Sequence, residues 1–191
     1  MKDYHTKILD IDCASEFTRI CEFMKKTVLK DYRRKGAVVG LSGGVDSALT
    51  ATLSVKTFGK ERVLGLILPE MESSSESEVL ARQLANQLGI KTETVPITPI
   101  LKSLGVYQRR EAIVRKYFPG FEEGWKYKLA ISKDTLERDG LNIFYLVIID
   151  KEGGADKVRL SLNDYLGMVA ATDMKQRTRM MQLYFYAEKN N

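Results

Sequence analysis

Apolar positions along the chain alternate between two spacings. Phe17, Ile20, Cys21, Met24 and Val28 recur at helical intervals and predict an amphipathic helix from about Ala14 to Lys30. The next apolar run, Gly36-Ala37-Val38-Val39-Gly40-Leu41, is short and glycine-bounded, which predicts a buried strand entering a tight loop. From Ser47 to about Thr57 the pattern is helical again, and Gly59 stops it. Val63 to Leu68 reads as a second buried strand, closed by Pro69. Ser73, Ser74 and Ser75 then offer N-caps, and Ser75 with Glu78 predicts a capping box ahead of Val79, Leu80, Leu84 and Leu88. Gly89 stands where a helix C-cap belongs. Thr92 to Ile97, rich in β-branched residues, is the third strand. This order with short links predicts an α/β fold, a Rossmann-like parallel sheet with flanking helices.

The pattern changes from about Ser103 to Asp173. Aromatics gather at Tyr107, Tyr117, Phe118, Phe121, Trp125 and Tyr127. Asn142 to Asp150 is strongly apolar, Lys151-Glu152-Gly153-Gly154 is a turn, and Lys157 to Leu162 returns, which predicts an antiparallel hairpin outside the parallel sheet. Its apolar face is expected to be covered by Phe118, Phe121 or Trp125, or by a second subunit. Asp173 to Glu188 is the last predicted helix, with Met180, Leu183, Tyr184 and Ala187 on one stripe.

The 191 residues give room for one α/β domain with a core. No apolar run approaches the roughly 20 residues a membrane span needs, and the polar start, Met1-Lys2-Asp3-Tyr4-His5, leads into no apolar signal segment. Cys13 and Cys21, about 12 Å apart if both lie on one helix, are too far apart for a disulfide. They are expected to face the core rather than act as nucleophiles. A reducing, cytoplasmic setting is the expectation. The net charge of +5 suits phosphate-rich ligands and nucleic acid alike, but the basic pairs are scattered, as on a solvated surface. His5 is the single histidine, which leaves no Ser-His-Asp triad and no Cys/His cluster for zinc.

Gly40, Leu41, Ser42, Gly43, Gly44, Val45, Asp46 and Ser47 carry the chemistry. A strand ends, two glycines follow and a helix starts. Glycines admit positive φ and let a phosphate approach backbone amides. The first amides of the helix and its dipole complete an anion site. Ser42 and Ser47 add hydroxyls, and Asp46 is a carboxylate suited to Mg²⁺ beside a polyphosphate. No Gly-Lys-Ser/Thr follows, so this is not a Walker A loop.

The run Ser42-Gly43-Gly44-Val45-Asp46-Ser47 resembles the loop of the ATP-pyrophosphatase family, which splits ATP between its α and β phosphates. Beyond the loop the chain resembles NAD synthase over most of its length. Val63 to Pro69 looks like that family's second strand, whose end, here Leu68, faces adenine. Ala81 to Ala85 with Leu88-Gly89-Ile90, and Pro96 to Ile100, are similar to the segments that follow. Met174-Lys175-Gln176-Arg177-Thr178-Arg179-Met180 resembles the family's Lys-x-Arg-x-Arg-Met helix. There the residue matching Arg177 contacts the deamido-dinucleotide. The resemblance implies ATP-dependent amidation of nicotinic acid adenine dinucleotide to NAD. The path runs through an adenylate, with ammonia as nitrogen donor, ATP and Mg²⁺ as cofactors, and a homodimer. It implies neither nucleic acid nor membrane as a partner.

Two departures stand out. Between Ile100 and Lys175 the chain exceeds the family pattern by something like 45 residues, so 103–172 reads as an insertion carrying the hairpin, within a single ATP-pyrophosphatase domain over 1–191. After Asn191 the family's next core strand, its Gly-Thr…Glu motif and its Lys-Tyr-Gly-Asp segment are missing, so the domain is expected to be incomplete at its C-terminus. Strand Ala37 to Leu41 would then be an uncovered apolar edge, and the chain alone would bind ATP weakly and not make NAD. The competing expectations are a truncated ATP-binding remnant, or another enzyme of the ATP-pyrophosphatase type, GMP synthase-like or tRNA-modifying.

Overall fold

A computed structural model describes residues 10–131 and 144–190. Two compact units emerge, one of Met1–Thr98 with Arg179–Asn191, the other of Pro99–Thr178.

The first unit holds the parallel sheet. Helix α1 (Cys13–Lys25) starts on Asp12, whose carboxylate accepts the Ala14 and Ser15 amides at 3.0 and 3.2 Å, and continues as a π-helical turn over Lys26–Asp31. Strand β1 (Ala37–Gly40), helix α2 (Val45–Phe58), strand β2 (Val63–Ile67), helix α3 (Ser75–Leu88) and strand β3 (Lys91–Thr94) follow. The strands pair in parallel in the order β1-β2-β3. A core of Val39, Leu41, Ala51, Phe58, Val63, Ile67, Ala81, Ala85 and Ile90 lies between sheet and helices. This is the predicted parallel α/β arrangement. Strand β3 stops earlier than the expected Ile97, although Val95 and Ile97 still donate to Ile67 and Pro69 carbonyls at 2.9 and 3.0 Å.

Several local expectations need correction. The N-cap of α3 is Ser74, whose hydroxyl accepts the Ser77 amide at 3.2 Å; no Ser75–Glu78 box forms, because Glu78 pairs with Arg82 at 2.7 Å. Cys13 is exposed and Cys21 half-buried, both free, because only the far end of the first helical segment, through Met24, Val28 and Leu29, packs on the core. Among the described residues β1 pairs with β2 alone, as the edge expectation has it. Leu183, from the end of the last helix, would meet a Cβ on Gly40 at 3.6 Å. Met180 and Tyr184, expected beside Leu183 on one stripe, are exposed.

The second unit is built differently. After α4 (Thr98–Ser103) comes α5 (Val106–Tyr117), then strands β4 (Lys126–Ile131), β5 (Phe144–Ile149) and β6 (Ala155–Arg159), and α6 (Leu162–Lys189), whose last turns belong to the first unit. The three strands form a separate antiparallel sheet in the order β4-β5-β6. The hairpin is therefore present as β5-β6, its first two expected residues lying outside the described ones. Strand β4 joins it, and nothing in the expected elements had foreseen this strand. Leu146 and Ile148 are buried with Val114, Phe121, Leu160 and Met168, and Phe118 and Trp125 pack against that cluster, so the expected aromatic cover exists. Leu160 no longer belongs to a strand, and α6 begins 11 residues before the predicted Asp173, because Ser161 caps it: its hydroxyl accepts the Asp164 amide at 3.1 Å.

Candidate functional site

Parallel pairing sends the loops after β1, β2 and β3 to one edge, and ligands of open α/β sheets bind outside the carboxyl ends of strands. Gly40 ends β1 and is aligned with Leu66, and Leu41 extends the ladder by donating its N–H to the Leu66 carbonyl at 2.8 Å. Leu41 is buried, its side chain lodged against Gly65, where a Cβ would come within 2.7 Å of Leu41 Cδ1. Gly65 is thus a residue the loop depends on although it lies on another strand. Leu68, one residue past β2, is buried at the same edge.

The loop from Ser42 to Ser47 is held by its own hydroxyls. Ser47 Oγ accepts from the Ser42 amide at 3.2 Å and from Ser42 Oγ at 3.1 Å, and donates to the Gly44 carbonyl at 2.9 Å. Ser42 Oγ accepts the Gly44 amide at 3.3 Å. Gly43 has φ +77°, and a Cβ there would stand 2.6 Å from the Ser77 carbonyl oxygen. Both the left-handed backbone and the approach of α3 therefore exclude side chains.

Helix α2 begins at Val45, two residues earlier than expected, with Gly44 as its N-cap and no side-chain cap hydrogen bond. The amides of Val45, Asp46 and Ser47 have no intrahelical acceptor and open on the positive end of a 14-residue helix. Asp46 is exposed in that turn. Such a set of uncapped amides, two hydroxyls and one carboxylate can hold a polyphosphate.

Gly40, Leu41, Ser42, Gly43, Gly44, Val45, Asp46, Ser47 and Leu68 are thus gathered at one sheet edge in the first unit. Arg177 lies in the second unit, exposed on α6. On the same helix Asp164, Met168, Ala171, Lys175 and Thr178 are buried, and Lys175 Nζ lies 5.4 Å from the Tyr107 ring centroid.

For Mg²⁺ the donors fit. The loop offers hard oxygen ligands only, and one carboxylate beside substrate phosphates is the usual protein share for this ion. Among the described residues no group of three or more His, Cys, Asp or Glu side chains could form a self-contained metal cage.

A glycine loop joining β1 to a helix with no side-chain cap, at the carboxyl edge of a parallel sheet, defines an α/β protein of the Rossmann-like type. Comparison with known proteins is more specific. Residues 16–117, more than half of the chain, match the NAD synthase family. The chain is 46% identical over 182 residues to the NH3-dependent NAD+ synthetase of Mesorhizobium japonicum, covering 95% of this chain and 57% of that protein. With its namesake from Rhizobium meliloti it shares 42% over 183 residues, 96% of this chain and 54% of that one. Among solved structures, the NH3-dependent NAD synthetase of Campylobacter jejuni in complex with nitrate superposes with a TM-score of 0.58 at 21% identity, over 95% of this chain and 55% of that one. NMN synthetase from Francisella tularensis gives 0.57 at 22%, over 95% and 52%; both show the fold. The chain belongs to the NAD synthase family. It spans little more than half the length of these curated relatives.

Proposed function

We propose that this chain carries the ATP-binding part of an ammonia-dependent NAD synthase. The observation that carries the reading is the first turn of α2 behind Gly43 and Gly44, which has no side-chain cap, with the Asp46 carboxylate exposed and bonded to none of the described residues, in a chain of this family. The nicotinate carboxylate of deamido-NAD attacks the α-phosphate of ATP, and pyrophosphate leaves. Ammonia then attacks the acyl carbon of the adenylate, AMP leaves with the electron pair of the acyl–oxygen bond, and the attacking nitrogen releases a proton to solvent. The amides of Gly43, Val45, Asp46 and Ser47 bind the phosphates and neutralise the charge on the departing pyrophosphate, and the Ser42 and Ser47 hydroxyls, which bond within the loop, turn to the phosphates when ATP binds. Mg²⁺, when bound, supplies further neutralisation of that charge, and Asp46 is the residue that would hold it. Leu68 takes the adenine side, and Arg177 binds the dinucleotide. The protein acts as a homodimer in the cytoplasm, without nucleic acid or membrane as partner. Residues 103–172 are read as an insertion into a single ATP-pyrophosphatase domain.

The test is NAD formation from deamido-NAD, ammonia and Mg·ATP by the protein in its natural length, with the nucleotide products identified. AMP and pyrophosphate should appear in step with NAD, and Asp46→Asn should lower the rate on the order of 10²- to 10³-fold. Release of ADP and phosphate instead would overturn the assignment. ATP binding at the loop with no amidation would favour an ATP-binding remnant.

A further inference from the structure

The antiparallel sheet of the second unit has a second face, which its core does not use. Strand alternation places Leu146 and Ile148 inward. The register then aligns three rows on the outer face: Ala130, Tyr145 and Arg159; Lys128, Val147 and Lys157; Lys126, Ile149 and Ala155. The central strand thus shows Tyr145, Val147 and Ile149, half-buried, and each flanking strand adds two exposed cations. None of the four cations has a carboxylate partner among the described residues; Lys157 lies 5.5 Å from the Tyr145 ring centroid. Asp156, the acid within β6, falls on the opposite face by alternation. Asp150, in the turn, accepts the Gly154 amide at 2.7 Å.

We infer that this face is a docking surface for an acidic amphipathic helix of a partner polypeptide, one whose apolar stripe is bordered by carboxylates on both sides. The dimensions select it. Neighbouring strands lie about 4.8 Å apart, so Lys128 and Lys157 stand on backbones separated by about 10 Å, the width of an α-helix. An apolar strip one strand wide, fenced by cations on both sides, complements a helix with one apolar stripe and two acidic borders. Sheet edges take up strands; sheet faces are covered by helices. Single-stranded nucleic acid matches less well, because it stacks on successive aromatics and Tyr145 is the one aromatic in the three rows. An anionic bilayer matches less well too, because the apolar residues are recessed between longer cationic side chains.

The test uses a fluorescein-labelled synthetic helix of about 18 residues, with a leucine stripe bordered by glutamates, and its lysine-bordered counterpart. Binding to the full chain is followed by anisotropy. The acidic helix should bind at least about tenfold more tightly than the basic one and weaken about tenfold between roughly 50 and 300 mM salt. The double variant Lys128→Glu/Lys157→Glu should lose the preference, and Lys128→Thr/Lys157→Thr, which keeps good strand residues, should weaken it. Circular dichroism establishes that each is folded. Equal binding of the two peptides, binding unchanged in the folded Lys128→Thr/Lys157→Thr variant, or tighter binding of oligouridine or of phosphatidylglycerol vesicles would overturn the inference. So would self-association of the chain alone that is abolished by the threonine variant.

Discussion

Two aspartates in the first turns of two helices show how differently the two units use the same device. Asp46 opens α2, where Gly44 caps nothing with a side chain and the carboxylate stays exposed. Asp164 opens α6 and is saturated. Its Oδ2 accepts from Lys116 Nζ, Tyr117 Oη and Ser161 Oγ, each at 2.6 Å, and Tyr117 Oη in turn accepts the Ser161 amide at 3.0 Å. Helix dipoles favour both carboxylates. One environment leaves donors and acceptors open to a ligand; the other consumes them in fixing where a helix begins. A helix-opening aspartate is therefore informative only once its partners are known.

The largest effect should come from closing the open site. Gly43→Val places a branched side chain at φ +77° and against the Ser77 carbonyl, and should weaken Mg·ATP binding on the order of 10³-fold by calorimetry, the strain alone being about 1–3 kcal/mol. Retained affinity would show that the loop is not the phosphate site. Next, Asp46→Asn should weaken Mg·ATP on the order of 10²-fold and leave thermal stability almost unchanged, as expected for an exposed side chain. Asp164→Asn should behave inversely: stability lower by about 1–3 kcal/mol in denaturant titration and ATP affinity intact. If the two variants behaved alike, the contrast between the units would fail.

Acid titration sharpens the same contrast. The Lys116 ammonium, then the Ser161 and Tyr117 hydroxyls, hold the Asp164 carboxyl at about 2, below its ordinary 3.8. Its folded form therefore binds fewer protons than the unfolded chain as pH falls through this range. The stabilisation is complete above about pH 4 and is lost as pH approaches 2. Asp164→Asn should flatten that part of the stability curve. The smallest effect is expected at Arg177, exposed on α6. Arg177→Ala should raise KM for deamido-NAD about tenfold and change stability by less than about 0.5 kcal/mol.

The parallel sheet was legible because each of its first two strands is an apolar run closed by glycine or proline, and the loop was legible because its residues are contiguous. Three adjacent serines gave equivalent caps for α3, and only the reach of Ser74 to the Ser77 amide separates them. Strand β4 did carry a signal: Lys126-Tyr127-Lys128-Leu129 alternates polar and apolar residues, the period of a half-buried strand. The Lys116–Asp164 pair spans 48 residues and has no local signature. Gly65 likewise reads as an ordinary strand glycine until Leu41 is seen against it.

The contact between Gly43 and Ser77 also bears on the order of assembly. Because the loop backbone is pressed against the start of α3, its shape belongs to no local stretch of chain. During refolding, nucleotide capture should emerge together with the docking of α3 and lag behind the first gain of helical signal. A peptide spanning 36–58 contains every atom of the loop and lacks the wall that shapes it.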